Sequence, residues 1–179
     1  METAETLGHG RAALLSMQLA GLGAVVLRPL AFDDLPAMQR LLGRCDASRS
    51  ESTIETIIRS LDWRPASAST LTLGAIDDQT SRLVGLAGLT ADRRVEAGAR
   101  FGLLVDPDCR QLGVGNALLV ALIRAAEGAG YRFLSARASH GEGAIRALAR
   151  RNGLALRRTD GLEPFVLERS LGSQRPPSD

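Results

Sequence analysis

The sequence predicts an α+β domain on a mixed sheet, mostly antiparallel with one central parallel pair. Three observations lead there. Apolar runs of strand length alternate with a few amphipathic helical stretches. Asp77-Asp78-Gln79-Thr80 links two such runs as a hairpin turn. One helix stands between two strands in the middle of the chain, which is the connection a parallel pair requires. At 179 residues the chain suits one domain with a sizeable core.

The elements follow in order. Ala24 to Arg28 reads as the first strand, stopped by Pro29. Asp33 or Asp34 caps a helix running to about Leu42, with Pro36 tolerated in its first turn. Ser52-x-x-Glu55 is a capping box for a second helix, whose Ile54, Ile57, Ile58 and Leu61 share a face. Trp63 to Ser69 is loop. Thr70 to Ile76 and Arg82 to Thr90 are the hairpin strands, and Glu96 to Val105 is the next strand. Gly113 to Gly128 is a long helix, with Leu118, Leu119, Leu122, Ile123 and Ala126 at helical spacing. Tyr131 to Ala138 is a strand, and Glu142 to Arg151 a helix stopped by Asn152-Gly153. Leu154 to Arg158 and Phe165 to Arg169 close the domain as an antiparallel pair. Residues 1–22 are expected to form a flexible extension, 23–171 the domain and 172–179 a disordered tail. Met1 and Met17 both serve as a plausible start.

Composition excludes several functions. Hydrophobic content of 45% and charged content of 23% are those of a soluble globular protein. A net charge of +2, without a basic block, argues against nucleic acid, and 3% aromatic residues provide no stacking platform. No uninterrupted apolar run reaches spanning length, so no membrane partner is expected. The apolar stretch from Ala12 to Leu27 follows Glu2, Glu5 and a lone Arg11, the wrong charge for a secretory leader. Cys45 and Cys109 form no metal or redox motif and suggest free thiols in a reducing cytoplasm. All 22 basic residues are arginine, which excludes lysine Schiff-base chemistry and a Walker loop.

The chemistry is concentrated in Arg110-Gln111-Leu112-Gly113-Val114-Gly115-Asn116, between the strand ending at Val105 and the long helix. The unpaired N–H groups of a first helical turn converge there, and the helix dipole adds positive potential. Gly113 and Gly115 remove the Cβ atoms that would hold a pyrophosphate off the backbone. A dinucleotide fingerprint fails, because Leu118 takes the third glycine position and Phe133 stands near the acidic one.

Arg-x-x-Gly-x-Gly after a strand ending Leu-x-Val resembles the acyl-CoA loop of the GNAT (N-acetyltransferase) superfamily. Leu27-Arg28-Pro29-Leu30 with Asp33-Asp34 is similar to the family's opening, and Leu148 to Leu154 to its later helix. The likeness spans about Val25 to Leu171. Arg44 to Ser48 and Leu148 to Arg151 also look like the acetyltransferase domains of bacterial protein-lysine acetyltransferases. The resemblance implies helices on both faces of the sheet and acetyl-CoA as acyl donor. It places the donor between the strand ending at Val105 and the strand near Tyr131. Leu103 and Val105 would pair with the pantetheine arm, a strand N–H near Leu104 would polarise the thioester, and Arg110 with the N–H groups of Gln111 to Asn116 would take the pyrophosphate. The acceptor would be an amine of a small molecule or protein, attacking directly in a ternary complex. The resemblance also allows a homodimer.

The family's usual catalytic groups are absent. Where the protein-lysine subgroup carries glutamate in an Ala-Glu-Phe segment, this chain has Ala99-Arg100-Phe101, and its tyrosine and asparagine fall at Ala149 and Glu142. A lysine-like amine of pKa ~10.4 costs about 4–5 kcal/mol to supply neutral at pH 7. Glu96 and His140 are the candidates for that proton. Arg100 is either a sheet-surface charge or a selector of carboxylate-bearing acceptors. Asp106 and Asp108 read as turn and capping residues. Loss of the usual groups beside an intact loop also suits an alternative, a non-catalytic acyl-CoA-binding module.

Overall fold

The computed structural model describes residues 15–46, 70–138, 143–158 and 165–171. In chain order these form β1 (Leu15–Leu19), β2 (Gly23–Pro29), α1 (Leu35–Asp46), β3 (Thr70–Asp77), β4 (Leu83–Ala91), β5 (Gly98–Val105), α2 (Val114–Gly128), β6 (Phe133–Ala138), α3 (Gly143–Arg151), β7 (Ala155–Arg158) and β8 (Phe165–Ser170). The strands make one eight-stranded sheet in the order β1-β2-β3-β4-β5-β6-β8-β7. Among the described strand pairs only β5 and β6 run parallel, and α2 lies in the crossover connection between them.

The sheet is covered on both faces, as the resemblance implied. On one face Met38, Leu41 and Cys45 of α1, at helical spacing, pack with Leu83, Leu86 and Leu104. On the other, Val114, Ala117, Leu118, Leu122 and Ala126 of α2 pack over Ala75, Ala87, Leu89, Ala99 and Phe101. Leu83 to Leu89 of β4 is therefore buried at every position, which explains why its sequence is an apolar run and not an alternation. Along β5 the period-2 alternation assigns Ala99, Phe101, Leu103 and Val105 to the α2 face and Leu104 to the α1 face.

Several expected boundaries move. Leu15–Leu19, expected within a flexible extension, is an edge strand paired residue for residue with β2. Leu19 also reaches the glycine loop: a Cβ on Gly113 would lie 3.2 Å from its Cδ2. The first helix begins after a 3-10 turn at Phe32–Asp34 and continues to Asp46, because Met38, Leu41 and Cys45 keep one buried stripe past Leu42. Asp34 caps that turn by accepting from the Ala31 N–H at 2.8 Å, and it holds Arg28 through bonds of 2.6 and 2.7 Å. β5 starts at Gly98 instead of Glu96, since Val95 and Gly98 donate back to Asp92 and Val95 in a closed turn. β6 starts at Phe133, because Tyr131 and Arg132 donate to Ala126 and Ala97. The expected second helix at 52–61 lies outside the described residues.

Gly85 sets how closely α2 approaches β4. A Cβ there would come within 2.8 Å of both Leu118 Cδ1 and Val114 Cγ1, side chains with no room to retreat. Gly85→Ala should therefore lower the unfolding free energy by about 1–3 kcal/mol in urea denaturation. A loss below about 0.5 kcal/mol would mean that the interface yields.

Candidate active site

The site begins where the parallel pair stops. β5 and β6 pair from Gly98 to Arg100 against Phe133 to Ser135, and β5 continues to Val105 without a strand partner on that side among the described residues. Its other edge stays in register with β4 throughout. The Asp106 N–H donates to Val84 O at 2.9 Å, continuing that ladder. By alternation the backbone groups of Leu104 and Gly102 face β4, and those of Leu103 and Val105 face the gap. Leu103 and Val105 thus stand where a pantetheine arm would need them. Leu104 does not: its N–H belongs to the β4 ladder and its side chain is fully buried, so a polarising N–H in the gap must come from an odd-numbered neighbour.

At the end of the gap the chain turns through a 3-10 segment, Pro107–Cys109, into the glycine loop. Gln111 and Gly113 both adopt left-handed backbone, at φ 63° and 95°. Alternation of hand along a loop folds successive N–H groups into a concavity that suits an anion. Among the described residues no backbone N–H from Gln111 through Asn116 donates to a protein carbonyl, and the first bond of α2 runs from Ala117 to Gly113 O at 3.0 Å. A Cβ on Gly115 would meet Val105, Leu148 and Leu103 at 3.4–3.6 Å, ordinary contact distances, so packing within the protein does not demand glycine there. The donors, the open edge and the missing side chain together fit a diphosphate with an extended arm.

The model of the acetyltransferase (GNAT) family matches residues 35–154. The chain belongs to that family. It is a GNAT-type acetyltransferase. No curated protein sequence matches it. Among solved structures it is similar to the GNAT domain of S. lividans PAT, with a TM-score of 0.70 and 16% identity over 88% of this chain and 97% of that one. The PaiA N-acetyltransferase of Thermoplasma acidophilum in complex with coenzyme A gives 0.62 and 20%, covering 82% and 98%. The ribosomal-protein-S18-alanine N-acetyltransferase of Escherichia coli gives 0.64 and 22%, covering 87% and 99%. At these identities the likeness is one of fold.

In this GNAT chain the loop is held by groups whose partners sequence spacing does not reveal. Asp106 is wholly buried and accepts at Oδ2 from Arg44 Nε at 2.6 Å and Arg82 Nη2 at 2.7 Å, and at Oδ1 from the Asp108 N–H at 3.2 Å. Its role as a capping residue was legible; its two guanidinium partners, 62 and 24 residues away, were not. Burial pushes this carboxyl up, but the hydrogen bonds from Arg82 and Arg44 outweigh it and leave it below the ordinary carboxylate range. Asn152, expected only to end a helix, donates Nδ2 to Asn116 Oδ1 at 3.0 Å and to Leu148 O at 2.8 Å, tying α3 to the first turn of α2.

The other expected residues separate. Arg110 is exposed on the loop. Cys109 is buried, and burial together with Asp106 raises its thiol, so it is a poor nucleophile. Glu96 is exposed in the turn ahead of β5 and does not line the cavity described next. His140 and Glu142 lie outside the described residues. A cavity of about 560 Å3 lies along the paired segment of β5 and β6 and reaches Arg100 and Ser135, where the pairing ends; its lining also includes Ala136 and Glu168. The nearest thing to a shielded acid there is Asp92, 13% exposed. Nothing marked Asp92 in the sequence, because its position depends on the turn that delays β5. Among the described residues no group of three metal-ligating side chains occurs, and no helix is long and apolar enough to cross a membrane.

Asp106→Asn should cost about 2–4 kcal/mol at pH 7, since both guanidiniums lose a charged partner but remain a third exposed. Because the folded-state pKa is depressed, this contribution is complete above the ordinary value of ~3.9 and is lost as pH falls through the folded value. Urea unfolding of both proteins at pH 7 and below pH 3 should therefore show the difference shrinking in acid. A difference independent of pH would remove the ion pair as its cause.

Proposed function

We propose that this acetyltransferase moves an acetyl group from acetyl-CoA to an amine of a small molecule or protein by direct attack in a ternary complex. The observation that carries the reading is the row of unpartnered N–H groups from Gln111 to Asn116 at the start of α2, beside the unpaired edge of β5. Diphosphate oxygens would accept from those groups, with the dipole of α2 adding to the attraction. The pantetheine arm would take the place of the missing strand along Leu103 and Val105. The thioester would then lie near the vertex, close to Arg100 and Ser135.

The neutral amine forms the new C–N bond with the acyl carbon, the C–S bond breaks, and sulfur leaves as thiolate. The proton lost by nitrogen ends on the thiolate or on a nearby base. Proximity supplies most of the acceleration. His140 and Glu96 are the proposed proton carriers. The free thiols of Cys45 and Cys109 suit a cytoplasmic enzyme.

Acetyl-CoA at about a hundred times its dissociation constant should stabilise the protein by about 2.7 kcal/mol, read as a rise of several degrees in Tm. Gly115→Ala separates the site from the fold. In the first turn of a helix alanine adds up to about 1 kcal/mol of stability, so the ligand-free protein should hold or gain Tm while the acetyl-CoA shift shrinks. An unchanged shift would clear Gly115 of the cofactor path. With an amine found by release of free thiol, His140→Ala or Glu96→Ala should reduce the rate roughly 100-fold if that residue is the base. Losses under about threefold in both would discard both assignments. Stabilisation by acetyl-CoA with no thiol released from any amine would mark a binding module instead.

A further inference from the structure

Resting on that reading, the geometry points to the class of acceptor: an amine that also carries a carboxylate, which Arg100 holds at the vertex of the gap. Strand register aligns Thr90 of β4, Arg100 of β5, Ser135 of β6 and Glu168 of β8 in one row across the sheet. Residues paired in register share a face, and Arg100 lies an even number of residues from Leu104, so the row stands on the α1 face. The α2 face carries the start of the glycine loop's helix, so donor and acceptor would approach the vertex from opposite sides of the sheet.

Arg100 and Ser135 are the last parallel pair before the strands diverge, which puts the guanidinium beside the point where the bond must form. Its neighbours in the row on either side are hydroxyl residues, Thr90 and Ser135, with no charge to neutralise it. Its ion pair is long, Nε to Asp92 Oδ2 at 3.8 Å, and its side chain is 45% exposed. A pair at that distance exchanges readily for a ligand carboxylate in bidentate geometry, which the planar fork of arginine favours.

The rest of the lining limits the charge of the ligand. Among the described residues lining the cavity Arg94 is the other cation turned to it, because Arg169 donates to Asn152 O at 2.7 Å and lies 3.6 Å from Glu127. Asp92 and Glu168 oppose them. A ligand that carries both an acidic and a basic group suits a lining of mixed charge, whereas a dianionic phosphate would meet the Asp92 carboxylate beside Arg100. Asp92 favours the protonated form of an approaching amine. A zwitterion such as an amino acid meets both demands.

The test uses the full chain loaded with CoA and matched probes: glycine with glycinamide, L-alanine with L-alaninamide, and 4-aminobutyrate with 4-aminobutanamide. Binding is read by calorimetry and turnover with acetyl-CoA by free thiol. The wild-type protein should favour at least one acid over its amide by about ten- to a hundredfold. That direction is informative because amidation lowers the amine pKa and by itself favours the amide in turnover. Arg100→Gln should remove the preference mainly through KM, Arg100→Lys should restore part of it, and Arg100→Glu should invert it. Each variant should retain the acetyl-CoA thermal shift, which shows that it folds. Equal binding of acid and amide, binding of neither, or a preference that survives Arg100→Gln would overturn the proposal while leaving the transferase reading intact. Absence of an acetyl-CoA shift in the wild-type protein would overturn that reading and this inference with it.

Discussion

One buried carboxylate determines where the sheet ends and the loop begins. Asp106 follows the last residue of β5, and its backbone continues the β4 ladder while its side chain joins Arg44 of α1 and Arg82 at the entry to β4. Three separate parts of the chain thus meet at one carboxylate. A buried carboxylate without such partners would protonate or destabilise the fold. With them, the 3-10 turn at Pro107–Cys109 is held against the sheet and delivers Gln111 and Gly113 in the left-handed geometry the loop requires.

The divergence of β5 from β6 is the second constraint, and it creates rather than fills a site. A parallel pair that stays in register for three residues leaves an edge of backbone donors and acceptors on β5 with no strand beside it among the described residues. Such edges invite an extended partner. The loop donors stand at one end of this edge and the Arg100–Ser135 pair at the other, the arrangement on which the proposed transfer rests. Asn152, bonded to Asn116, ties the later helix to the loop across the same gap.

Much of this was legible in the residues because it rests on local chemistry. The hairpin at Asp77 to Thr80 follows from turn residues, and Asp77 accepts from the Gln79 N–H and Thr80 hydroxyl as such a turn should. The α2 stripe follows from helical spacing, and the glycine loop from two glycines at a helix start. Less legible were features that depend on what lies across the sheet. Leu15–Leu19 has little to distinguish it from a loose extension, and becomes a strand because β2 offers it an edge. Glu96 looked like the first residue of a strand, and the left-handed Ala97 beside it instead closes a turn.

The sequence by itself therefore determined the α+β class, the order of the central elements and the glycine loop at the start of a helix, since each is written in contiguous residue types and short spacings. The tertiary structure alone decided which backbone atoms of β5 face the gap, that Leu104 turns away from it, and that Asp106 holds Arg44 and Arg82. It also decided that Arg100 shares a row with Thr90, Ser135 and Glu168. The physical reason is register: a shift of one residue in any strand pair would turn every one of those side chains to the other face without changing the hydrophobic pattern of the strand itself.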